Sequence, residues 1–267
     1  MRRLVACVAS AQRLAIEVLW VDSAPAGSPV LVFLHEGLGS LSMWRDFPQQ
    51  LCTAAGARGL VYSRPGYGAS SPRLPADSWG LDFMHRQAWE VLPALLAQLE
   101  VDPAAQPLFL FGHSDGASIA LLHAVRFSAH LRGAILLAPH ILVEERSLEG
   151  VAKAREAYMD GALRERLARH HADPDAVFWG WNRTWLDPAF RDWSIEDEIA
   201  AIRCPLLAVQ GVEDAYGTLE QVRGIARRVA RTQVLELPGC GHMPHREQTQ
   251  RVIEASVAFI GAALTPG

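Results

Sequence analysis

The chain has 267 residues, half of them apolar, and a formal net charge of −4 at neutral pH. This length suits one large α/β domain with a sizeable core, and the dispersed basic residues argue against a nucleic-acid-binding surface. The four cysteines lie far apart without metal-ligand spacing, which indicates free thiols in a reducing compartment. No apolar run reaches membrane-spanning length, and the run after Arg3 is short for a signal peptide. We therefore expect a cytoplasmic monomer or homodimer that acts on a small molecule, with no nucleic-acid or membrane partner.

The first part of the chain alternates between apolar runs of strand length and stretches with helical periodicity. Residues 4–8 and 14–21 alternate like the two strands of an antiparallel hairpin. The continuous apolar run Val30–Leu34 is typical of a strand that is covered on both faces. The other elements predicted here are a helix over 44–55, a strand over 60–63 and a helix over 83–99 that Pro93 could kink.

The alternation of predicted strands and helices also holds in the rest of the chain, except for one long segment. From about Leu142 to Glu198 the sequence is helical, charged and aromatic, with no candidate strand. On either side the pattern predicts strands over 108–111, 133–138, 205–210 and 233–237, and helices over 117–125, 218–229 and 247–263. Such alternation predicts a mostly parallel sheet with helices on both faces. We therefore divide the chain into an α/β core of residues 1–141 and 199–267 and a helical insertion of residues 142–198. We expect this insertion to form a lid over the carboxyl edge of the sheet.

One serine stands at the apex of a predicted strand, turn and helix. The pattern Gly112-x-Ser114-x-Gly116 follows the apolar strand directly and opens the next helix. This arrangement is typical of a nucleophile elbow, where the turn is so sharp that the flanking positions have no room for a side chain. The elbow also sets a helix N-terminus, with its unpaired N–H groups, beside any oxyanion that forms on the serine.

A nucleophilic serine needs a base and a carboxylate that orients the base. The strand after the insertion leads into a turn with Glu213 and Asp214, and the last strand leads into a loop with His242 and His245. Both turns follow strand carboxyl ends, where open parallel sheets place ligands. Asp214 stands three residues after a glycine and His242 directly after one. These positions favour Asp214 and His242, with Glu213 and a surface-loop His245 as alternatives.

These motifs resemble those of the α/β-hydrolase fold family, and the similarity covers nearly the whole chain outside the insertion. The loops His35-Glu-Gly-Leu-Gly39 and Arg64-Pro-Gly-Tyr-Gly-Ala-Ser70 also resemble loops of this family. Within that family, the sequence most resembles the lid-bearing esterase-like, lactonase-like and carbon–carbon-bond hydrolase branches.

The resemblance implies Ser114 as nucleophile, His242 as general base and Asp214 as its orienter, without a metal or cofactor. It implies an oxyanion hole made by the backbone N–H groups of Asp115 and Gly37, with Leu38 as an alternative to Gly37. Glu36 departs from the family, since many members carry glycine there.

Two features bear on the substrate. The aromatic residues of the insertion could pack it onto the core or line an acyl pocket, and we expect Leu38, Trp179, Trp181 and Trp185 to contact the substrate. Asp115 is similar to the equivalent acid of the valacyclovir hydrolase-like branch, which pairs with a substrate ammonium. The alternative is a structural bond to the helix N-terminus or to a nearby loop, such as one that carries His35, His140 or Arg64.

The leading interpretation is a carboxylic ester hydrolase that cleaves an ester, thioester or lactone of a small apolar or aromatic substrate through an acyl-serine intermediate. Three alternatives are open: a carbon–carbon-bond hydrolase of a ring-fission diketone, an amino-acid ester hydrolase that uses Asp115, and a non-catalytic small-molecule receptor.

Overall fold

A computed structural model of the protein describes residues 2–9, 12–73 and 80–265. The strands are β1 (Arg2–Ala9), β2 (Gln12–Val21), β3 (Val30–Leu34), β4 (Arg58–Tyr62), β5 (Leu108–His113), β6 (Gly133–Leu137), β7 (Leu206–Gly211) and β8 (Thr232–Leu237). They form one sheet in the order β1-β2-β4-β3-β5-β6-β7-β8. β2 is antiparallel to both of its neighbours, and the pairs from β4 across to β8 are parallel. The predicted α/β class and mostly parallel sheet are confirmed.

Helices flank the sheet and build the insertion. They are α1 (Phe47–Ala55), α2 (Phe83–Arg86), α3 (Leu92–Gln98), α4 (Asp115–Phe127), α5 (Glu145–Met159), α6 (Ala162–Ala168), α7 (Pro174–Trp185), α8 (Glu196–Ile199), α9 (Glu220–Arg228), α10 (Pro244–Glu247) and α11 (Thr249–Leu264). Short 3₁₀ turns cover Leu41–Trp44, Ser128–His130 and Pro188–Phe190. Among these described helices, none combines the length and apolar character needed to cross a bilayer.

The helix predicted over 83–99 is interrupted by a turn of π-helix. Residues Gln87–Val91 take the wider π form between α2 and α3, and Pro93 lies at the start of α3. Proline has no N–H for the carbonyl one turn earlier and crowds it, so a locally widened turn relieves the conflict. The predicted kink is thus a change of helix type.

The core lies on both faces of the sheet. Strands β3, β5 and β6 are buried along their whole length, as the continuous apolar runs predict. One apolar cluster lies under the insertion and α4, and a second lies against α1 and α11. The predicted core segments begin at residue 1 and end at residue 267, and both positions lie outside the described residues.

The insertion leaves and re-enters the core at one place. Leu142 and Ser194 form an antiparallel bridge. Beside it, the N–H of Val143 donates to Trp193 and that of Ile195 donates to Ile141. The segment between them contains only helices and turns, which matches the pattern of the sequence.

The strand order fixes the position of the candidate site. From β3 the chain first moves to β4 on one side and then returns to β5 on the other. The loops after β3 and β5 therefore diverge at a topological switch point, where doubly wound sheets form a ligand crevice. The loop after β3 and Ser114 after β5 meet there.

Candidate active site

The turn between β5 and α4 holds Ser114 in a strained backbone conformation. Its φ of 53° and ψ of −122° lie outside the regions that a residue with a side chain ordinarily adopts. Such a conformation costs roughly 1–3 kcal/mol and is characteristic of functional sites. A Cβ on Gly116 would lie 2.1 Å from the carbonyl oxygen of Leu34, so glycine is required where α4 meets the end of β3. The predicted strand, turn and helix are confirmed.

The side chain of Ser114 contacts His242, which the last loop of the sheet supplies. The Ser114 hydroxyl lies 3.0 Å from Nε2 of His242, and the Nδ1 atom of the same ring lies 2.8 Å from Oδ2 of Asp214. The acid turn and the histidine loop approach each other closely, because a Cβ on Gly211 would lie 2.2 Å from the carbonyl of Gly241. Three segments that are distant in the sequence therefore bring a hydroxyl, an imidazole and a carboxylate into one line.

Asp214 is fully buried, yet its surroundings favour the ionised form. Its Oδ1 accepts a 2.8 Å bond from the N–H of Tyr216, and its Oδ2 accepts a 2.7 Å bond from the side-chain amide of Gln210. Burial alone would raise the pKa of this carboxyl, but the His242 ring and the Tyr216 N–H outweigh burial and hold the pKa below its ordinary value. The alternative acid, Glu213, instead accepts a bond from the N–H of Cys240.

His245 is buried rather than at the surface. Its ring packs against Trp44, Phe47 and His113, and its side chain is 3% exposed. The expectation of a surface histidine is wrong because the loop folds back as α10 and carries His245 into the second apolar cluster. Burial lowers the pKa of His245 well below its ordinary value, which keeps it neutral.

Glu36, which departs from the family pattern, contacts the loop of His242 through His113. Its Oε2 lies 3.5 Å from Nδ1 of His113, and Nε2 of His113 donates a 2.7 Å bond to the backbone carbonyl of His242. Burial opposes ionisation of Glu36, but the bond and charge of His113 hold the pKa of the carboxyl well below its usual range. Glu36 thus connects the loop after β3 to the histidine loop.

Backbone N–H groups are free where an oxyanion hole would need them. Asp115 is the first residue of α4, so its N–H has no acceptor within the helix. Within the described ranges, the N–H groups of Gly37 and Leu38 donate no hydrogen bond. Gly37 is pressed against the insertion, because a Cβ there would lie 2.3 Å from the indole nitrogen of Trp181.

The carboxylate of Asp115 faces a buried arginine. Its Oδ2 lies 3.8 Å from Nη2 of Arg64, and both side chains are 1% exposed. Burial raises the pKa of Asp115, while Arg64 and the Trp185 indole act in the opposite direction. Arg64 is itself fixed, since its Nη2 donates to the carbonyl of Glu36 and its N–H donates to Nε2 of His35. The carboxylate therefore already has a cation beside it.

A cavity of about 450 Å³ lies above Ser114 and His242. Leu38, Trp181 and Trp185 line it. Trp179 lies outside the lining, because it is on another face of α7, where it packs against Tyr158 between the guanidinium groups of Arg155 and Arg183. Of the three predicted tryptophans, Trp181 and Trp185 share the cavity with the nucleophile and Trp179 does not.

Two residues that hold parts of the candidate site in place, Gln210 and His171, are not identified from the sequence. Gln210 holds Asp214, and its only signal is a polar residue at the end of an apolar strand. His171 accepts a 3.0 Å bond at Nδ1 from the N–H of Gly68 and donates a 3.0 Å bond from Nε2 to the carbonyl of Leu38. A histidine pair in a polar helical stretch gives no sign of such contacts. Within the described ranges, no three metal-binding side chains are grouped to hold an ion.

Comparison with known proteins identifies the family of the chain. The model of the Alpha/beta hydrolase family matches residues 31–255. The chain belongs to the alpha/beta hydrolase family. It is 23% identical over 265 residues to a proline iminopeptidase of Lactobacillus helveticus, covering 84% of this chain and 87% of that protein.

Solved structures share the fold of this alpha/beta hydrolase. A proline iminopeptidase of Mycobacterium smegmatis superposes with a TM-score of 0.76 at 16% identity, covering 98% of each chain. A thermophilic esterase of Thermogutta terrifontis superposes with a TM-score of 0.73 at 21% identity, covering 99% of this chain and 100% of that one. At these identities the likeness concerns the fold alone.

Proposed function

We propose that this protein is a serine hydrolase that cleaves a carboxylic ester, thioester or lactone through an acyl-serine intermediate. The observation that carries the proposal is the hydrogen-bonded line from Ser114 Oγ through His242 to Asp214, with spacings of 3.0 Å and 2.8 Å. A serine hydroxyl is a weak nucleophile until a base can take its proton, and this line supplies the base and its orienter.

In the proposed reaction, Ser114 attacks the substrate carbonyl while Nε2 of His242 takes the hydroxyl proton. The carboxylate of Asp214 holds Nδ1 and stabilises the imidazolium that forms. The oxyanion accepts bonds from the N–H of Asp115 and from that of Gly37 or Leu38, and loss of one such donor typically costs about 10²–10³ in rate. His242 then protonates the leaving group, and water repeats the cycle on the acyl-serine.

The buried end of the cavity suits a small apolar or aromatic acyl group. Trp181 and Trp185 are 6% and 2% exposed, and both line the cavity. Large aromatic surfaces of this kind bind apolar groups, whereas charged groups would lose hydration there. We propose that residues 142–198 act as a lid whose tryptophans form this acyl pocket. The contact between Trp181 and Gly37 supports the idea that the insertion shapes the reaction site.

The test is a fluorophosphonate probe followed by assays with p-nitrophenyl acyl esters. We expect a single adduct on Ser114 and ester turnover, both abolished by Ser114→Ala. Labelling without ester turnover, accompanied by consumption of a ring-fission diketone, would indicate that the protein is a carbon–carbon-bond hydrolase instead. Absence of labelling would favour a receptor without catalytic activity.

A further inference from the structure

The lining of the cavity changes character between its buried and its solvent end. Trp181 and Trp185 at the buried end are almost wholly enclosed. Four arginines also line the same space: Arg45, Arg166, Arg169 and Arg246. All but Arg246, which is half-buried, are exposed, so the arginines mark the mouth where the cavity meets solvent. A chain with a net charge of −4 thus carries a cationic entrance to its nucleophile.

Carboxylates offset the charge of this entrance only in part, because Glu36 acts on Arg246 and His170 without pairing with either. Within the described part of the chain, no ion pair involves any of the four arginines. Two acids line the cavity, but Asp115 faces Arg64 and Glu36 faces His113. The carboxylate of Glu247 accepts bonds from the N–H groups of Gly241 and Met243.

The electrostatic field at the mouth acts on His170. His170 also lines the cavity, and its Nδ1 lies 2.8 Å from the hydroxyl of Ser42. Partial burial and the positive charges of Arg246, Arg45 and Arg169 lower the pKa of His170. Its neighbours therefore keep this ring neutral, and the positive charge of the mouth comes from the arginines.

The backbone presents two of these arginines at a fixed place. Arg45 has a φ of 54° and a ψ of −130°, a conformation as strained as that of Ser114. Arg246 donates from Nη2 to the carbonyl of Met43, which ties the histidine loop to the turn that carries Arg45. Strained side-chain-bearing residues cluster where a group must be aimed at a ligand.

We infer that the preferred substrate is an ester or thioester with an apolar acyl group and an anionic alcohol or thiol part that carries a phosphate or a carboxylate. This inference rests on the proposed function. The acyl group occupies the end formed by Trp181 and Trp185, and the leaving group extends past His242 to the arginines. Guanidinium groups bind phosphate and carboxylate oxygens through charge-assisted, often bidentate hydrogen bonds.

Paired substrates with the same acyl group test the charge of the leaving group. Butyryl-coenzyme A is compared with butyryl-N-acetylcysteamine, which keeps the thioester and lacks the phosphates. For carboxylate, 4-(carboxymethyl)phenyl butyrate is compared with 4-methylphenyl butyrate. We expect at least one anionic member to exceed its neutral partner about tenfold or more in kcat/KM, and added salt to reduce only that advantage. The pair that discriminates identifies phosphate or carboxylate as the group bound.

Charge reversal at the mouth supplies the second arm. In the double variant Arg166→Glu and Arg169→Glu, both exposed residues, we expect the anionic advantage to fall about tenfold while the neutral esters stay within about twofold. The matched control reverses Arg132 and Arg231, two exposed arginines that precede β6 and β8 at the opposite edge of the sheet. This control changes the net charge by the same amount and should leave kcat/KM unchanged for both the anionic and the neutral substrates.

The outcomes separate this inference from the proposed function. Turnover of all four substrates without a preference for charge would overturn the inference and leave the serine hydrolase standing. An anionic preference that survives charge reversal at the mouth, or a stronger preference for monophenyl succinate, whose charge lies on the acyl side, would also overturn it. No turnover and no labelling of Ser114 would refute the proposed function itself.

Discussion

At the scale of single residues, the adjacent acids Asp214 and Glu213 have different hydrogen-bond partners. The two oxygens of Asp214 hold His242, the N–H of Tyr216 and the amide of Gln210, and each bond favours the carboxylate. The neighbouring Glu213 is engaged by the N–H of Cys240 instead. Two adjacent acids therefore have different partners, and mutation of each should affect different properties.

Replacement of Asp214 by asparagine should lower kcat by about 10⁴-fold with little change in KM, because the amide no longer fixes the productive tautomer of His242. Steady-state kinetics on a p-nitrophenyl ester measure the loss. Glu213→Gln is the control, and we expect it to retain most of the activity. A comparable loss in both variants would contradict the assignment of Asp214 as the orienting acid.

The Asp115–Arg64 pair leads to a different prediction. Asp115→Asn leaves the buried guanidinium of Arg64 without its nearest carboxylate, which should destabilise the fold by about 3 kcal/mol in urea unfolding. The double variant Asp115→Leu with Arg64→Met removes both charges and should recover much of that loss. Since the carboxylate serves Arg64, an α-amino ester and its des-amino analogue should lose activity equally in Asp115→Asn. Selective loss on the α-amino ester would instead support recognition of an ammonium group.

At the scale of elements, polar contacts near the start and in the middle of the insertion join it to the loops of the candidate site. Near its start, Arg146 donates to the carbonyl of Asp214 and Ser147 donates to that of Tyr216. After α6, His171 bridges Gly68 and Leu38. The loop of the candidate oxyanion hole is therefore held by the segment that covers it.

His171→Leu should lower kcat about tenfold and raise KM much less, because the loop of Gly37 and Leu38 loses the bond at Leu38 and, with the second bond, its link to Gly68. Ser42→Ala is the matched control, since the bonds it removes are those to the neighbouring His170 and to Ser40, and both bonds of His171 stay in place. We expect it to stay within about twofold of the parent in both constants. If the His171 variant changed only thermal stability, the ring would be a structural brace without influence on the reaction.

The sequence predicts the elements better than the contacts between them. Strands such as Val30–Leu34 are recognisable because burial on both faces demands an unbroken apolar run. The elbow at Ser114 is recognisable because its glycines are required by local crowding. The burial of His245, the bridge of His171 and the position of Trp179 depend on how distant segments pack. No local pattern encodes those contacts.

At the scale of the whole molecule, the protein buries several neutral imidazoles. Burial lowers the pKa of His123 to about 4 and that of His140 to about 3. Burial also lowers the pKa of His35, His171 and His245. The unfolded chain binds protons at these positions below about pH 6.5, whereas the folded chain binds them only at lower pH. Stability contributed by neutral burial is therefore present at neutral pH and is lost as the pH falls.

Between pH 7 and pH 5 the free energy of unfolding should decrease, with a contribution on the order of 2 kcal/mol from each of His123 and His140. Urea unfolding at a series of pH values measures this slope. His123→Asn should flatten the slope, since its site no longer titrates. The carboxyls of Asp214 and Glu36, whose pKa values are depressed, lose their contribution only at lower pH. A stability independent of pH across this window would contradict the prediction.

The bridge between Leu142 and Ser194 closes the insertion at its base, so the two chain segments that connect it to the core lie side by side. A segment attached in this way can be lengthened, shortened or exchanged without pulling apart the strands on either side. Under the proposed role of the insertion as a lid, selectivity and chemistry can diverge separately: replacing the lid would change which molecules enter and leave Ser114, His242 and Asp214 in place. Transplanting the equivalent module of another hydrolase onto this base offers a direct route to new specificity.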